Sequence, residues 1–227
     1  MLSNEESVAT KLQRIAEKAK SDSDCKFTSL FHLMNEELLL GCFEQLRNNA
    51  ASGIDGLTKD QYAEQLPENL RQLVGRLQRM AYIPQPVMRV YIPKPGSDKM
   101  RPLGIPALED KLVQAGLVKI LQGIYEQDSI DDSYGFRPER GCHNALRALS
   151  QTVENQPINY IVEADIRSFF DNVDQDQQME FFGHRIADKL ILRYIKRFLK
   201  AGIQEEGIFR ASEQGTPQGG CNFAITR

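Results

Sequence analysis

Three stretches of the chain bring together side chains able to handle metal ions and phosphates. In Ile161-Val162-Glu163-Ala164-Asp165-Ile166-Arg167-Ser168-Phe169-Phe170-Asp171, a carboxylate follows an apolar run. An acid at the end of a rigidly held strand can ligate Mg²⁺ through a hard oxygen, and a neighbouring backbone carbonyl can do likewise. Two-metal phosphoryl transfer needs such oxygens around ions roughly 3.5–4 Å apart. Asp165 can equally cap a turn or the helix that follows. Second, Lys94 and Arg101 flank the turn of a ribbon. Their point charge and planar fork suit a triphosphate, although an edge strand also uses Lys and Pro to block aggregation. Third, Gln214-Gly215-Thr216-Pro217-Gln218-Gly219-Gly220 lets backbone approach a ligand closely, with the Gln218 amide available to a base or sugar. A plain turn fits those residues just as well.

The elements that must position these groups follow from periodicity. Val8, Leu12, Ile15 and Ala19 predict an amphipathic helix over the first twenty residues. A second helix is expected from about 28 to 49, then the glycine-punctuated loop Gly53-Ile54-Asp55-Gly56-Leu57-Thr58, a helix opening near Thr58, and a basic helix over roughly 67–80. From Val87 the period changes to two, predicting a strand, a turn at 93–99 and a partner strand over 100–105. Prolines 93, 95, 102 and 106 put this hairpin at an edge or in a protruding position. A helix over 107–125 should bury Leu112, Val113, Leu117, Ile120, Leu121 and Ile124, and one over 142–153 should bury Ala145, Leu146 and Leu149. Residues 158–164 read as a strand, 175–182 and 186–200 as helices, and 203–211 as a second hairpin. Without regular βαβ alternation, the fold class is α+β.

Composition narrows the function classes. The 227 residues are 41% apolar and 26% charged, which is globular rather than disordered. The densest apolar stretch, Leu38–Phe43, is too short to span a bilayer, and the acidic N-terminus does not read as a signal peptide. Cys25, Cys42, Cys142 and Cys221 form no C-x-x-C pair, and the three histidines are scattered, so reduced thiols fit better than a zinc site. These features lead us to expect a cytoplasmic protein without membrane contact. The net charge of −3 hides an asymmetry: residues 71–147 carry twelve bases against eight acids. Seven bases, Arg71, Arg76 and Arg79 among them, fall within 71–105 against Asp98 alone. Such a local field can collect phosphates, or it can be an ordinary solvated face.

Taken in order, GIDGLT within 27–62, RVYIPKPGSDKMRPLGIPALEDKLVQ, SYGFRPERGCHNAL, YIVEADIRSFFDNV and GTPQGG resemble successive blocks of bacterial group II intron-encoded reverse transcriptases (maturases). The resemblance implies an N-terminal helical extension over 1–26, the fingers of a right-hand polymerase over 27–155 and a partial palm over 156–227, with helices around short antiparallel sheets. It further implies RNA-directed DNA polymerase activity, with RNA template and primer, intron RNA and dNTP as partners. By that resemblance Asp165 is the first catalytic aspartate and holds Mg²⁺ with the carbonyl of Ile166. Phe170 matches the aromatic gate against a ribose 2′-OH. Lys94 and Arg101 match the cations on the triphosphate, and Gln218 matches the glutamine beside the nascent base pair. Gly53, Ile54 and Asp55 lie in a loop over the template, and Arg137 is a template contact.

The sequence departs from the family after PQGG, where a Ser-Pro helix and a Tyr-x-Asp-Asp turn are expected. Here Cys221–Arg227 follow, and the only Asp-Asp pair, Asp131-Asp132, precedes Asp165. One carboxylate cannot hold two ions against a triphosphate, so the Mg²⁺ site is expected to be incomplete and these residues alone inactive. The alternative is a non-catalytic RNA-binding module whose basic fingers grip intron RNA through Arg71, Arg76 and Arg79. A palm strand lacking its partner also leaves an edge that invites self-association.

Overall fold

The structure is a computed structural model that describes residues 6–93, 96 and 98–216. Helix α1 (Val8–Ser21) starts where Ser7 Oγ accepts the Thr10 N–H at 3.2 Å. It buries Val8 and Ala19 and belongs to the same apolar cluster as the helices that follow. The expected helix over 28–49 is broken in two. Phe31–Leu33 make one 3₁₀ turn, then Asn35 Oδ1 accepts the Leu38 N–H at 3.0 Å and starts α2 (Glu36–Gln45). The break falls at Met34 and Asn35, whose backbones leave the helical region (ψ 67° and 178°), while the N–H groups of Leu30 and Phe31 ahead of it are satisfied by the Asp188 carboxylate at 2.7 and 2.8 Å. Helix α3 (Lys59–Ala63) begins with a capping box between Thr58 and Gln61, and α4 (Leu66–Gln78) buries Leu70, Leu73, Val74 and Leu77.

Helix α5 (Leu108–Tyr125) runs through the middle of the core. Its face read from the sequence, Leu112, Val113, Leu117, Ile120, Leu121 and Ile124, is fully buried. Helix α6 (Cys142–Asn155) behaves otherwise. Its expected core face is not covered: Leu146 is 60% and Leu149 49% exposed, and Ala145 is half-buried. The helical period is right, but among the described residues no element lies over that stripe. Helices α7 (Phe169–Asn172), α8 (Gln175–Arg185) and α9 (Lys189–Leu199) follow, the last two packed together through Phe182, Ile191, Tyr194 and Ile195.

The two expected hairpins join into one mixed sheet of order β2-β1-β3-β4. Strands β1 (Val87–Pro93) and β2 (Met100–Ile105) pair antiparallel from Met88↔Ile105 to Pro93↔Met100. Strands β3 (Ile203–Glu205) and β4 (Ile208–Arg210) are joined by Glu206 and Gly207, both at positive φ. Strand β1 pairs parallel with β3 at Val87↔Ile203 and Met88↔Gln204. The sheet is therefore not purely antiparallel, and the base of β1 is central rather than at an edge. The prolines are compatible with this because Pro93 ends β1 and Pro102 sits on the edge strand β2. Only the distal part of the ribbon protrudes into solvent.

The strand expected over 158–164 is absent. Residues 157–166 have no regular structure, with Tyr160 88% and Val162 90% exposed. An apolar run becomes a strand only when another backbone accepts its hydrogen bonds, and no described strand lies beside it.

Candidate functional site

The inner face of the sheet, the start of α7 and the loop over 212–216 close around a cavity of about 90 Å³. Strand alternation puts Val87 and Arg89 on one face of β1. Gly104 is the ladder partner of Arg89, so no side chain fills the space opposite the guanidinium. Phe170 and Asp171 form the facing wall, with Gln214, Gly215 and Thr216 completing it.

Glycine 215 is what allows this closure. At φ +77° it lies against α7 so tightly that a Cβ would sit 2.7 Å from Phe170 O and 2.8 Å from Asp171 O. The contact is cemented by Gly215 N–H to Val173 O and Thr216 N–H to Phe170 O, both 2.8 Å. Gln175, buried at the start of α8, donates from Nε2 to Leu199 O and Gly215 O at 3.0 Å and reaches Ser212 Oγ at 3.2 Å. Helix α9, the start of α8 and the loop are thus tied through one amide. The Phe170 ring meets Phe136 edge-on at 6.4 Å and Phe169 at 5.4 Å.

Of the residues singled out from the sequence, Phe170 lines this cavity and Arg101 stands exposed on the ribbon that forms its floor. Arg101 makes no ion pair among the described residues. Asp165 and Ile166 are exposed in the irregular segment before α7 and not beneath a packed core. Lys94 and Gln218 lie outside the described residues. In the Gly53–Thr58 loop, Gly53 is buried, and a Cβ there would meet Pro106 O and Ala107 N at 2.5 Å. Its role in the structure is close packing onto the start of α5. Ile54 and Asp55 are exposed in that loop, as are Gly56 and Thr58.

Arg137 is turned toward its own loop. Its side chain is only 9% exposed and faces inward. Nε and Nη2 fork onto Glu126 at 2.7–3.2 Å, and Nη1 donates to Ile130 O and Ser133 O at 2.6 and 2.8 Å. A guanidinium held in this way braces its own loop. Arg76 is similarly committed, to Glu109 at 2.6 Å and over the Tyr82 ring, while Arg71 pairs with Glu68.

Sequence reasoning misses Arg89, Asp171 and Gln175. Arg89 is signalled by its place two residues before Tyr91 on an alternating strand that faces a glycine. Nothing local signals Gln175, whose partners are 24–40 residues away. A larger hollow, about 670 Å³, lies at the α1–α8 seam, between the segment that follows α1 (Ser23, Asp24, Lys26), Tyr125 and Asp128 at the end of α5, and Phe181, His184 and Arg185 of α8, and contains none of the residues expected to act on a nucleotide.

Residues 92–224 match the family model described as Reverse transcriptase (RNA-dependent DNA polymerase), and the chain belongs to that family. Over 210 residues it is 36% identical to the group II intron-encoded protein LtrA of Lactococcus lactis subsp. cremoris, covering 92% of this chain and 35% of that one. It is 39% identical over 172 residues to protein YkfC of Escherichia coli K12, covering 74% and 45%. A chain of the partial Cas6-RT-Cas1--Cas2 complex shares the fold, with a TM-score of 0.50 at 19% identity over 83% of this chain and 31% of that one. The 227 residues span about a third to under a half of these curated relatives. Family membership makes this a group II intron-type reverse transcriptase sequence whose class acts on nucleic acid and generally uses Mg²⁺. No group of three His, Cys, Asp or Glu able to hold a metal exists among the described residues, so these residues do not fit a two-ion site. No helix among them is long and apolar enough to cross a membrane.

Proposed function

We propose that the chain forms the fingers (27–155) and part of the palm (156–227) of a cytoplasmic group II intron reverse transcriptase. In this reading the cleft receives a dNTP on an RNA template. The observation that carries it is the cavity on which the β1–β2 ribbon, the Phe170 turn and the Gly215 loop converge. Arg101, with Lys94 beyond the described residues, neutralises the triphosphate. Phe170 crowds the 2′-position, Gln218 serves as the glutamine of the nascent base pair, and Asp165 with the Ile166 carbonyl supplies one part of the Mg²⁺ site. Polymerisation is positioning plus charge neutralisation, and these are the groups that supply both. Arg89 adds a cation at the back of the same cleft. The exposed apolar residues over 158–166 and on α6 form the surface for self-association of these residues when alone.

The test is primer extension on an RNA template with dNTPs and Mg²⁺. The 227 residues alone should give no extension; extension that disappears in Asp165→Asn would refute their incompleteness. A longer version carrying a Tyr-x-Asp-Asp hairpin should extend, should lose activity in Asp165→Asn and should accept ribonucleotides in Phe170→Ala. A folded longer chain that does not extend would overturn the polymerase reading.

A further inference from the structure

Helix α9 carries a feature that the polymerase cleft does not use. Lys189, Arg193, Lys196 and Lys200 follow one another at intervals of four, three and four residues and are all exposed. At 100° per residue they fall within about 60° of arc, a single stripe along the helix and its C-cap. No acid occurs anywhere from Lys189 to Lys200, and none of the four makes an ion pair among the described residues. None of them lines the cleft.

Helix stability does not explain the stripe. Cations in the last turn suit the helix dipole, which accounts for Lys196 and Lys200, but Lys189 at the first helical position opposes it. The acid beside it, Asp188, is buried with both oxygens occupied: Oδ1 by the N–H groups of Leu190 and Ile191, Oδ2 by those of Leu30 and Phe31. The opposite face of α9, Ile191, Tyr194, Ile195 and Phe198, is sealed in the core. Those apolar groups are therefore not free to insert into a bilayer or into a groove on another protein. Arg197 is held inward by Met80 O and Tyr82 O at 3.0 and 2.6 Å, which fixes the helix without occupying the stripe.

We infer that the exposed face of α9 is a docking surface for the phosphate backbone of structured RNA, separate from the template cleft. At 1.5 Å of rise per residue, the stripe is about 16 Å long. That length spans several successive phosphates of one RNA strand. Three lysines and one arginine on a rigid, acid-free face form a charge pattern that reads backbone and not sequence. The inference rests on α9 alone and stands if the polymerase reading fails.

The experiment measures binding of the 227-residue chain to a 20-base-pair RNA hairpin of arbitrary sequence between 50 and 300 mM salt. The variant is Lys189→Gln, Arg193→Gln, Lys196→Gln and Lys200→Gln together. The control is Arg14→Gln with Lys20→Gln, exposed cations of α1. The α9 variant should melt as the parent does, bind about ten- to a hundredfold more weakly, and show a log K versus log salt slope shallower by about three to four. Unchanged affinity and slope in the α9 variant would overturn the inference, as would an equal loss in the control. Vesicles of phosphatidylserine and phosphatidylcholine should bind no better than neutral ones; strong vesicle binding lost in the α9 variant would assign the face to a membrane instead.

Discussion

Replacing Gly215 by alanine tests whether the cleft is held shut in the way its geometry indicates. Two costs are added. A residue with a Cβ at φ +77° loses about 1–2 kcal/mol relative to glycine. The Cβ would also lie 2.7–2.8 Å from two carbonyl oxygens of α7, a separation that forces the loop outward. Moving the loop lengthens Gly215 N–H to Val173 O and Thr216 N–H to Phe170 O, and each such bond is worth about 1 kcal/mol net. The expected sum is about 3 kcal/mol, or roughly a hundredfold rise in the local opening constant. Hydrogen exchange reads this out: the amides of 215 and 216 should exchange about a hundredfold faster while those of α5 stay unchanged. Gly183→Ala is the contrast, because that glycine lies within α8 and a Cβ added there would meet nothing within 4 Å. It should leave exchange at 215 and 216 alone and stabilise the helix by up to about 1 kcal/mol. Unchanged protection in Gly215→Ala would show that the loop is not clamped to the Phe170 turn.

Buried polar groups give three more expected outcomes. Asp188→Ala removes a helix cap and strands the Leu30 and Phe31 N–H groups, so urea unfolding should show a loss of about 3–5 kcal/mol; a loss under about 1 kcal/mol would mean that water replaces the carboxylate. Burial pushes the Asp110 carboxyl up to about 6, against the opposing hydrogen bonds from Tyr82 and the Gln85 N–H. The folded state therefore holds this proton more tightly than the unfolded chain. Its contribution is complete below about pH 4 and is lost as pH rises through 6, about 3 kcal/mol in all. Unfolding of Asp110→Asn between about pH 4.5 and 7.5 should lack that fall, and an identical fall would assign it elsewhere. Arg137→Gln should expose residues 126–140 to protease without changing the salt dependence of RNA binding; a shallower slope would mark Arg137 as a nucleic-acid contact.

How much of this is legible in the sequence depends on the range of the interaction. Local signals carry well: the apolar face of α5, the Val8–Ala19 stripe of α1 and the β3–β4 turn are written in spacings of two to four residues. What depends on distant partners is not readable. The β1–β3 pairing joins residues 116 positions apart, and Asp188 reaches across 157–158 residues to hold the Leu30 and Phe31 N–H groups while it caps its own helix. The run at 158–164 has strand composition, yet composition cannot supply a neighbouring strand. The α6 stripe is helical by period, yet period cannot supply a cover. Arg137 lies in a family motif, but its inward turn is dictated by Glu126 and two carbonyls, and Glu126 lies outside that motif. The α9 stripe is masked because residues 148–227 carry two more acids than bases, and that regional sum hides a face with no acid on it.

If the ribbon, the Phe170 turn and the Gly215 loop surround one nucleotide, a photoreactive nucleotide should label all three and little else. Photo-crosslinking a radiolabelled azido-dATP to the chain with RNA template, primer and Mg²⁺, followed by peptide mapping, makes that comparison in one step. The label should fall within 87–104, 169–171 or 212–218, and unlabelled dATP should compete it away. Label concentrated on α9 or at the α1–α8 seam, with those three segments clean, would contradict the shared cleft.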